Sequence, residues 1–147
     1  MNSELKELFD VIDKMFANAD IDYLDLKKFN IDEAFFADYS QVRIVNSFLF
    51  NFSKLQDKIG AKLFRRVLYE LKETDDFSIT MIDALNLLEK LNIIEDATQW
   101  ELLRETRNAL AHEYPFDIQE RIENIALALE SYVILKQIYV HIKAALK

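Results

Sequence analysis

The chain has 147 residues, a net charge of −8, one glycine, one proline and no cysteine. A chain of this length suits one domain with a full core, here residues 1–147. Sandwiches, barrels and doubly wound sheets need turn glycines, so the composition predicts an all-α fold with short polar links. The absence of cysteine excludes disulfides, thiolate metal ligands and cysteine nucleophiles.

Charge and hydropathy also limit the partners that we expect. The acidic balance argues against broad binding to duplex DNA, which depends on many basic contacts to phosphate, but it is compatible with RNA at a locally basic site. No apolar run approaches the roughly 20 residues that span a bilayer. Residues 1–6 lack the basic start and apolar stretch of a secretory signal. We therefore expect a cytoplasmic protein without membrane contact. With two distant histidines and no cysteine, we expect neither a metal nor a cofactor.

The first predicted element is an amphipathic helix at the N-terminus. Its apolar residues recur at steps of three and four, which is typical of a helix with one buried face. These residues are Leu5, Leu8, Phe9, Ile12, Met15 and Phe16. We expect the helix to fray at residues 18–20. The segment 22–30 has no firm period and is predicted to be a connection with room for a turn of helix.

Two capping signals mark the starts of the next helices. The segments 30–33 and 38–41 each place an Asx residue three positions before Glu or Gln, a pattern that satisfies free N–H groups at a helix start. The first is predicted to open a short helix, and the second a long helix over about 39–72. Gly60 lies inside the long helix. Because an interior glycine costs about 1 kcal/mol relative to alanine, we expect it to mark a kink or a close helix contact.

Three further helices are predicted in the C-terminal half. A polar break at 73–78 precedes a helix over about 80–92, and the capping signal at 96–99 opens another helix. Pro115 bounds that helix, because the residue before a proline is pushed out of the α region. A last helix opens at Asp117 and runs to the C-terminus. We therefore predict an antiparallel bundle of four main helices plus the N-terminal helix.

The segment that points most directly to function is 107–114, Arg-Asn-Ala-Leu-Ala-His-Glu-Tyr. A guanidinium binds phosphate oxygens through a rigid fork, and an imidazole transfers protons near neutral pH. On an α-helix Asn108 and His112 share a face, whereas Arg107 lies about 140° from His112. The length of the arginine side chain partly closes this gap. These residue types together predict chemistry at a phosphodiester.

The predicted reaction is metal-independent cleavage of RNA. A ribose 2′-hydroxyl attacks the adjacent phosphorus, one group removes its proton, another protonates the departing 5′-oxygen, and a cation stabilises the developing charge. His112 fits the proton transfer, Arg107 the charge stabilisation, and Asn108 the orientation of the imidazole or phosphate. The reaction needs one group that accepts a proton and another that donates one, and a single histidine does not readily serve as both. A two-fold homodimer would supply two imidazoles and two guanidinium groups to one cleft.

The motif Arg-x4-His-x-Tyr at Arg107, His112 and Tyr114 resembles that of the HEPN superfamily, and most closely its HepT-type toxins. The resemblance implies a helical bundle and an endoribonuclease in which Arg107 and His112 are catalytic and Asn108 supports them. It also implies a partner, a minimal nucleotidyltransferase antitoxin that neutralises the toxin by attaching AMP to Tyr114. The motif covers eight residues, while the helical pattern covers the chain more loosely.

Two other functions remain open from the sequence. Some relatives in the superfamily act as the substrate- or nucleotide-binding subunit of a nucleotidyltransferase, without shown nuclease activity. A plain helical interaction module is the third hypothesis. For Tyr114 itself, the alternative to a modified hydroxyl is a ring packed under the last helix. Outside the motif, the basic residues at 58–66 are interpreted as a solvated helix face that could also steer RNA. His141 is interpreted as a surface or partner-contacting residue.

Overall fold

A computed structural model describes residues 2–110 and 117–146, and within these ranges the protein consists of helices and connecting turns without a β-strand. The predicted all-α class is confirmed. In chain order the elements are α1 (Ser3–Lys27), a 3₁₀ helix (Glu33–Ala37), α2 (Tyr39–Lys58), a π-helical turn (Ile59–Leu63), α3 (Phe64–Glu70), α4 (Met81–Lys90), α5 (Ala97–Leu110) and α6 (Ile118–Ala145).

The first helix is longer than predicted. The expected fraying at residues 18–20 is wrong, and the expected connection is wrong for 22–27, because α1 continues to Lys27; residues 28–30 do form a connection. Ala19 and Leu26 are buried and extend the apolar face beyond the regular stripe. Asp20 and Asp22 also hold polar partners on α6 and α2, which stabilises the last turns of α1 against the rest of the protein.

Aspartates cap the starts of the next two helices. The 3₁₀ helix is capped by Asp32, whose side chain accepts a hydrogen bond from the Phe35 amide at 3.1 Å, and not by Asn30 as predicted. The start of α2 at Asp38 is confirmed. Its carboxylate accepts from the Ser40 amide at 2.9 Å, which satisfies one of the free donors at the helix start.

The long helix predicted over 39–72 is confirmed as α2, the π-helical turn and α3, which follow one another without a break. The chain's one glycine, Gly60, lies within the π-helical turn and faces α5. A Cβ at this position would be 2.8 Å from Cζ2 of Trp100, so any larger residue would collide with the indole. The predicted close helix contact is therefore confirmed. Trp100 is buried and meets the Phe64 ring edge-on at 4.6 Å.

Non-glycine residues occupy the left-handed conformation where α3 and α4 end. Lys72 has a φ of 60° and Asn92 a φ of 59°. In both turns the next amide donates back to a carbonyl five residues earlier, at 2.9 Å, which closes the helix end. Glycine usually fills such positions because it carries no Cβ. A chain with one glycine places a lysine and an asparagine there instead.

Two matching polar clusters join α1 to α6. The Tyr139 hydroxyl donates to Asp13 at 2.6 Å, and Lys143 pairs with the same carboxylate. Seven residues further along α1, and seven earlier on α6, Tyr132 donates to Asp20 at 2.6 Å and Lys136 pairs with it. The residue numbers of the partners decrease on α6 as those on α1 increase, as expected for antiparallel helices.

Helix α6 is by length and composition apolar enough to cross a membrane, with a mean hydropathy of 1.3 in an 18-residue window of which 39% is buried. The expectation that no apolar segment approaches this length is therefore corrected. Core helices pass the same test, so the finding is weak evidence for a membrane span. In α6 the buried positions include Tyr132, Leu135, Tyr139 and Ile142, which belong to the core.

Candidate functional site

Arg107 lies in the last turn of α5, at the edge of its buried face. Trp100 and Leu103 precede it by two turns and one turn on this face and are buried, and Leu110 follows one turn later. Packing of these apolar side chains against the core fixes the rotation of α5 about its axis. The Arg107 side chain remains 30% exposed, so the guanidinium is anchored by its helix but still reaches solvent.

The guanidinium of Arg107 forms a two-bond ion pair with Asp57 of α2. Nε donates to Oδ1 at 3.0 Å and Nη2 donates to Oδ2 at 2.9 Å, which is the bidentate fork that arginine makes with carboxylates. The Gly60–Trp100 contact lies about one helical turn beyond Asp57, in the π-helical turn that continues α2. From Asp57 to Gly60 the partner residue on α5 changes from Arg107 to the earlier Trp100, so the long helix and α5 run in opposite directions.

Among the residues that the structure describes, the pair with Asp57 engages only part of the guanidinium. An arginine has five N–H donors, and three of those of Arg107 lie outside the pair with Asp57. The Asp57 side chain is 48% exposed, so the pair is accessible from solvent. A phosphate that approaches the remaining edge would meet a cation already held in one orientation. Donors that are fixed in this way stabilise a developing negative charge only if they are aimed at the atom that carries it.

Asp57 is the residue of this site that the sequence analysis missed. It is fifty residues from Arg107, and no local motif connects the two. In the sequence, Asp57 is only an acidic residue on the outward side of the long helix, and such residues are common on any helix. Once Gly60 is recognised as the close contact with Trp100, however, the antiparallel passage brings Asp57 opposite Arg107.

Asn108 is exposed next to Arg107 and about 100° further around the helix. The structure thus brings Arg107 to Asp57 and places Asn108 on the adjoining surface. The other two predicted site residues, His112 and Tyr114, lie outside the described residues, as does the helix boundary assigned to Pro115.

The basic stretch at 58–66 is not a uniform solvated face. The Arg65 side chain donates to the carbonyl oxygens of Ile79 at 3.0 Å and Ala61 at 3.1 Å, which ties α3 to the segment before α4. Arg66 pairs with Glu4 at 2.9 Å and lies over the Phe77 ring at 4.5 Å. The interpretation as a solvated face is therefore wrong for these two arginines, which connect elements.

A groove of about 830 Å³ lies elsewhere, between α1, α6 and the start of α5. Its lining includes Leu24, Ile94, Gln99, Val140 and His141. His141 is exposed, with Nε2 3.2 Å from the Asn92 carbonyl oxygen. Gln99 is eight residues before Arg107, about 12 Å along the helix. The groove therefore does not contain the Arg107–Asp57 pair.

Metal ligation finds no support in the residues that the structure describes, which contain no group of three His, Cys, Asp or Glu side chains placed to hold an ion. None of the known protein-family models matches the chain, and neither a curated protein nor a solved structure matches it significantly. The features that bear on function are therefore the motif at 107–114 and the geometry around Arg107.

Proposed function

We propose that the protein is a HEPN-type toxin, a metal-independent endoribonuclease of the cytoplasm whose antitoxin is a nucleotidyltransferase that attaches AMP to Tyr114. Its fold would be an antiparallel bundle of four main helices plus the N-terminal helix, acting as a homodimer. The observation that carries the proposal is the fixed, solvent-accessible guanidinium of Arg107 at the start of the motif. A phosphate-binding cation needs this combination of anchoring and access.

The reaction follows from the chemistry of the side chains. The 2′-oxygen forms a bond to phosphorus as the bond to the 5′-oxygen breaks. His112 of one subunit accepts the 2′-hydroxyl proton, and His112 of the other donates a proton to the 5′-oxygen. Arg107 binds the non-bridging oxygens, on which negative charge grows. The products are a 2′,3′-cyclic phosphate and a free 5′-hydroxyl, so neither water nor a metal enters this step.

Asp57 has a supporting part in this mechanism. Because both partners are substantially exposed, the pair is expected to contribute only about 0.2–1 kcal/mol to folding. Its larger effect is to restrict the rotation of a long, flexible side chain. Holding a catalytic group in the geometry of the reaction lowers the entropy cost of reaching the transition state. Asp57 would thus act on the rate through Arg107 without touching the RNA.

The test is cleavage of tRNA and mRNA by purified, unmodified protein in the presence of a chelator. We expect cleavage that is lost in both Arg107→Ala and His112→Ala. Arg104→Ala is the matched control, since Arg104 is an exposed arginine on the same helix, three residues earlier. We expect Arg104→Ala to cleave like the wild type. Absence of cleavage by the wild-type protein, or equal loss in all three variants, contradicts the proposal.

The second candidate is a non-catalytic subunit that presents a substrate or nucleotide to a nucleotidyltransferase. The observation in its favour is that Asp57 already engages Arg107, as in an ordinary structural ion pair. Intact mass after incubation with ATP and the transferase tests the AMP acceptor that the first candidate requires. We expect added AMP that is absent in Tyr114→Phe. An unchanged mass, or a gain that persists in Tyr114→Phe, removes Tyr114 as the acceptor.

A further inference from the structure

The outward face of α2 carries alternating aromatic and basic side chains that lead to the Arg107–Asp57 pair. We call this face the α2 stripe, and its members are Tyr39, Arg43, Phe50, Lys54 and Asp57. At 100° per residue they fall within about 60° of one another around the helix, and they extend over about 27 Å along it. Each aromatic residue is followed four positions later by a cation, so the same pair occurs twice.

The two aromatic residues of the α2 stripe are unusually exposed. Tyr39 is 69% and Phe50 63% exposed, more than any other aromatic side chain among the large exposed residues of the described chain. Their neighbours Phe48 and Phe52 are fully buried, so the exposure of Tyr39 and Phe50 is specific to the outward face of α2. Lys54 Nζ lies 5.5 Å from the centroid of the Phe50 ring, which leaves the ring in contact with a cation and with solvent.

The α2 stripe carries two cations that an anionic ligand could contact, and the acidic side chains near it are already paired or hydrogen-bonded. Arg43 and Lys54 are exposed, although the chain as a whole carries −8. The carboxylate of Asp57 is paired with Arg107. Asp22 of α1 flanks the stripe, where it accepts hydrogen bonds from Ser47 at 2.6 Å and Asn51 at 3.3 Å.

The side chains beside the two rings argue against a protein partner. A protein interface usually has a contiguous core of apolar residues within a polar rim. Here the exposed Ser47 and the half-buried Asn51 lie beside the stripe, and the two rings are separated by about 16 Å along the helix. Separate rings interspersed with cations fit a single-stranded nucleic acid, whose bases stack on aromatic faces while its phosphates meet lysine and arginine.

We propose that the α2 stripe is the track along which single-stranded RNA enters the site. Bases stack on Tyr39 and Phe50, Arg43 and Lys54 bind the intervening phosphates, and the strand reaches Arg107 at the end of the stripe. Duplex RNA does not fit, because its bases are stacked on one another and present no free face to the rings. The inference rests on the proposed function and names the substrate class of that same site.

Binding of a labelled single-stranded oligonucleotide with 2′-O-methyl riboses, which cannot be cleaved, separates the track from catalysis. We expect Tyr39→Ala and Phe50→Ala each to weaken binding roughly tenfold, as expected for loss of one stacked base. Phe50→Tyr should restore binding. Lys54→Gln should lower the slope of log affinity against log salt by about 0.7, the value for one phosphate contact on a single strand. Matched controls are Phe77→Ala and Lys14→Gln, exposed residues outside α2 that should leave binding unchanged.

The outcomes distinguish this inference from the proposed function. Tight binding that all the stripe variants retain overturns the track, even if metal-free cleavage is observed. Loss of binding in the stripe variants without any cleavage by the wild type supports the track and contradicts the nuclease. Failure of the wild-type protein to bind the oligonucleotide overturns the track. The track is also overturned if the wild-type protein binds a duplex of the same sequence as tightly as the single strand. If the stripe variants no longer bind the nucleotidyltransferase but still bind RNA, the stripe is the binding surface of the protein partner instead.

Discussion

Replacing Asp57 with asparagine tests how Arg107 is held. Asparagine has nearly the same shape as aspartate, keeps one acceptor oxygen and loses the charge, so one of the two bonds at 3.0 and 2.9 Å is removed and the other is weakened. The folding cost should stay within about 1 kcal/mol, because the pair is exposed. The fold and the position of α5 should therefore be retained.

The expected effect on cleavage is larger than the effect on stability. Complete removal of a donor that stabilises transition-state charge costs about 10²–10³ in kcat. Asp57→Asn leaves the guanidinium present but less restrained, so we expect kcat to fall by roughly ten- to a hundredfold, less than that limit. KM should stay constant or decrease, because removing a carboxylate makes the surroundings of Arg107 more positive for an approaching phosphate.

Initial rates of multiple-turnover cleavage of a defined RNA, over a range of RNA concentrations, separate kcat from KM. Glu105→Gln, which neutralises an exposed carboxylate on the outer side of α5, is the matched control and should leave both unchanged. A wild-type kcat in Asp57→Asn refutes the positioning role. A raised kcat would mean that Asp57 competes with the phosphate for Arg107.

Three further predictions concern the scaffold. Gly60→Ala should lower the free energy of unfolding by about 1–3 kcal/mol, because the new Cβ would be 2.8 Å from Trp100 Cζ2; thermal unfolding followed by circular dichroism measures this, and an unchanged midpoint would contradict the packing. Lys72→Gly should stabilise the protein, or cost less than glycine at other helix ends, since φ is 60° there; chemical denaturation compares it with Lys90→Gly at a helical position. Tyr132 and Tyr139 should remain protonated when exposed tyrosines ionise, because burial and the hydrogen bonds to Asp20 and Asp13 raise the pKa of each. The unfolded chain would release both protons above about pH 10, so stability should fall as pH rises beyond that value; absorbance titration at alkaline pH that shows every tyrosine ionising together before unfolding would disprove it.

The sequence predicted the helices well where one apolar face repeats regularly. It placed the long helix through Gly60, the close contact at that glycine and the start of α6 at Asp117. It failed at the end of α1, because the last turns are held by Ala19, Leu26 and polar contacts to other helices. Those contacts depend on which helices become neighbours, and local periodicity carries no such information.

The candidate site divides in the same way. The phosphate-binding role of Arg107 could be predicted from a local motif, because that prediction needs only the residue types and their spacing. The partner Asp57 depends on the antiparallel passage of two helices and was invisible to a local pattern. The α2 stripe could not be predicted without knowing which side chains are exposed. Tyr39 and Phe50 look like core residues in the sequence, but they are 69% and 63% exposed in the fold.

The most direct test of the central claim is the chemistry of the RNA ends. Purified protein in chelator is incubated with a defined single-stranded RNA, and the fragments are analysed by mass spectrometry. Transesterification guided by Arg107 and His112 gives a 2′,3′-cyclic phosphate on one fragment and a 5′-hydroxyl on the other, with Arg107→Ala and His112→Ala inactive. Fragments with a 5′-phosphate, fragments that form only when metal is added, or intact RNA after long incubation would contradict the account.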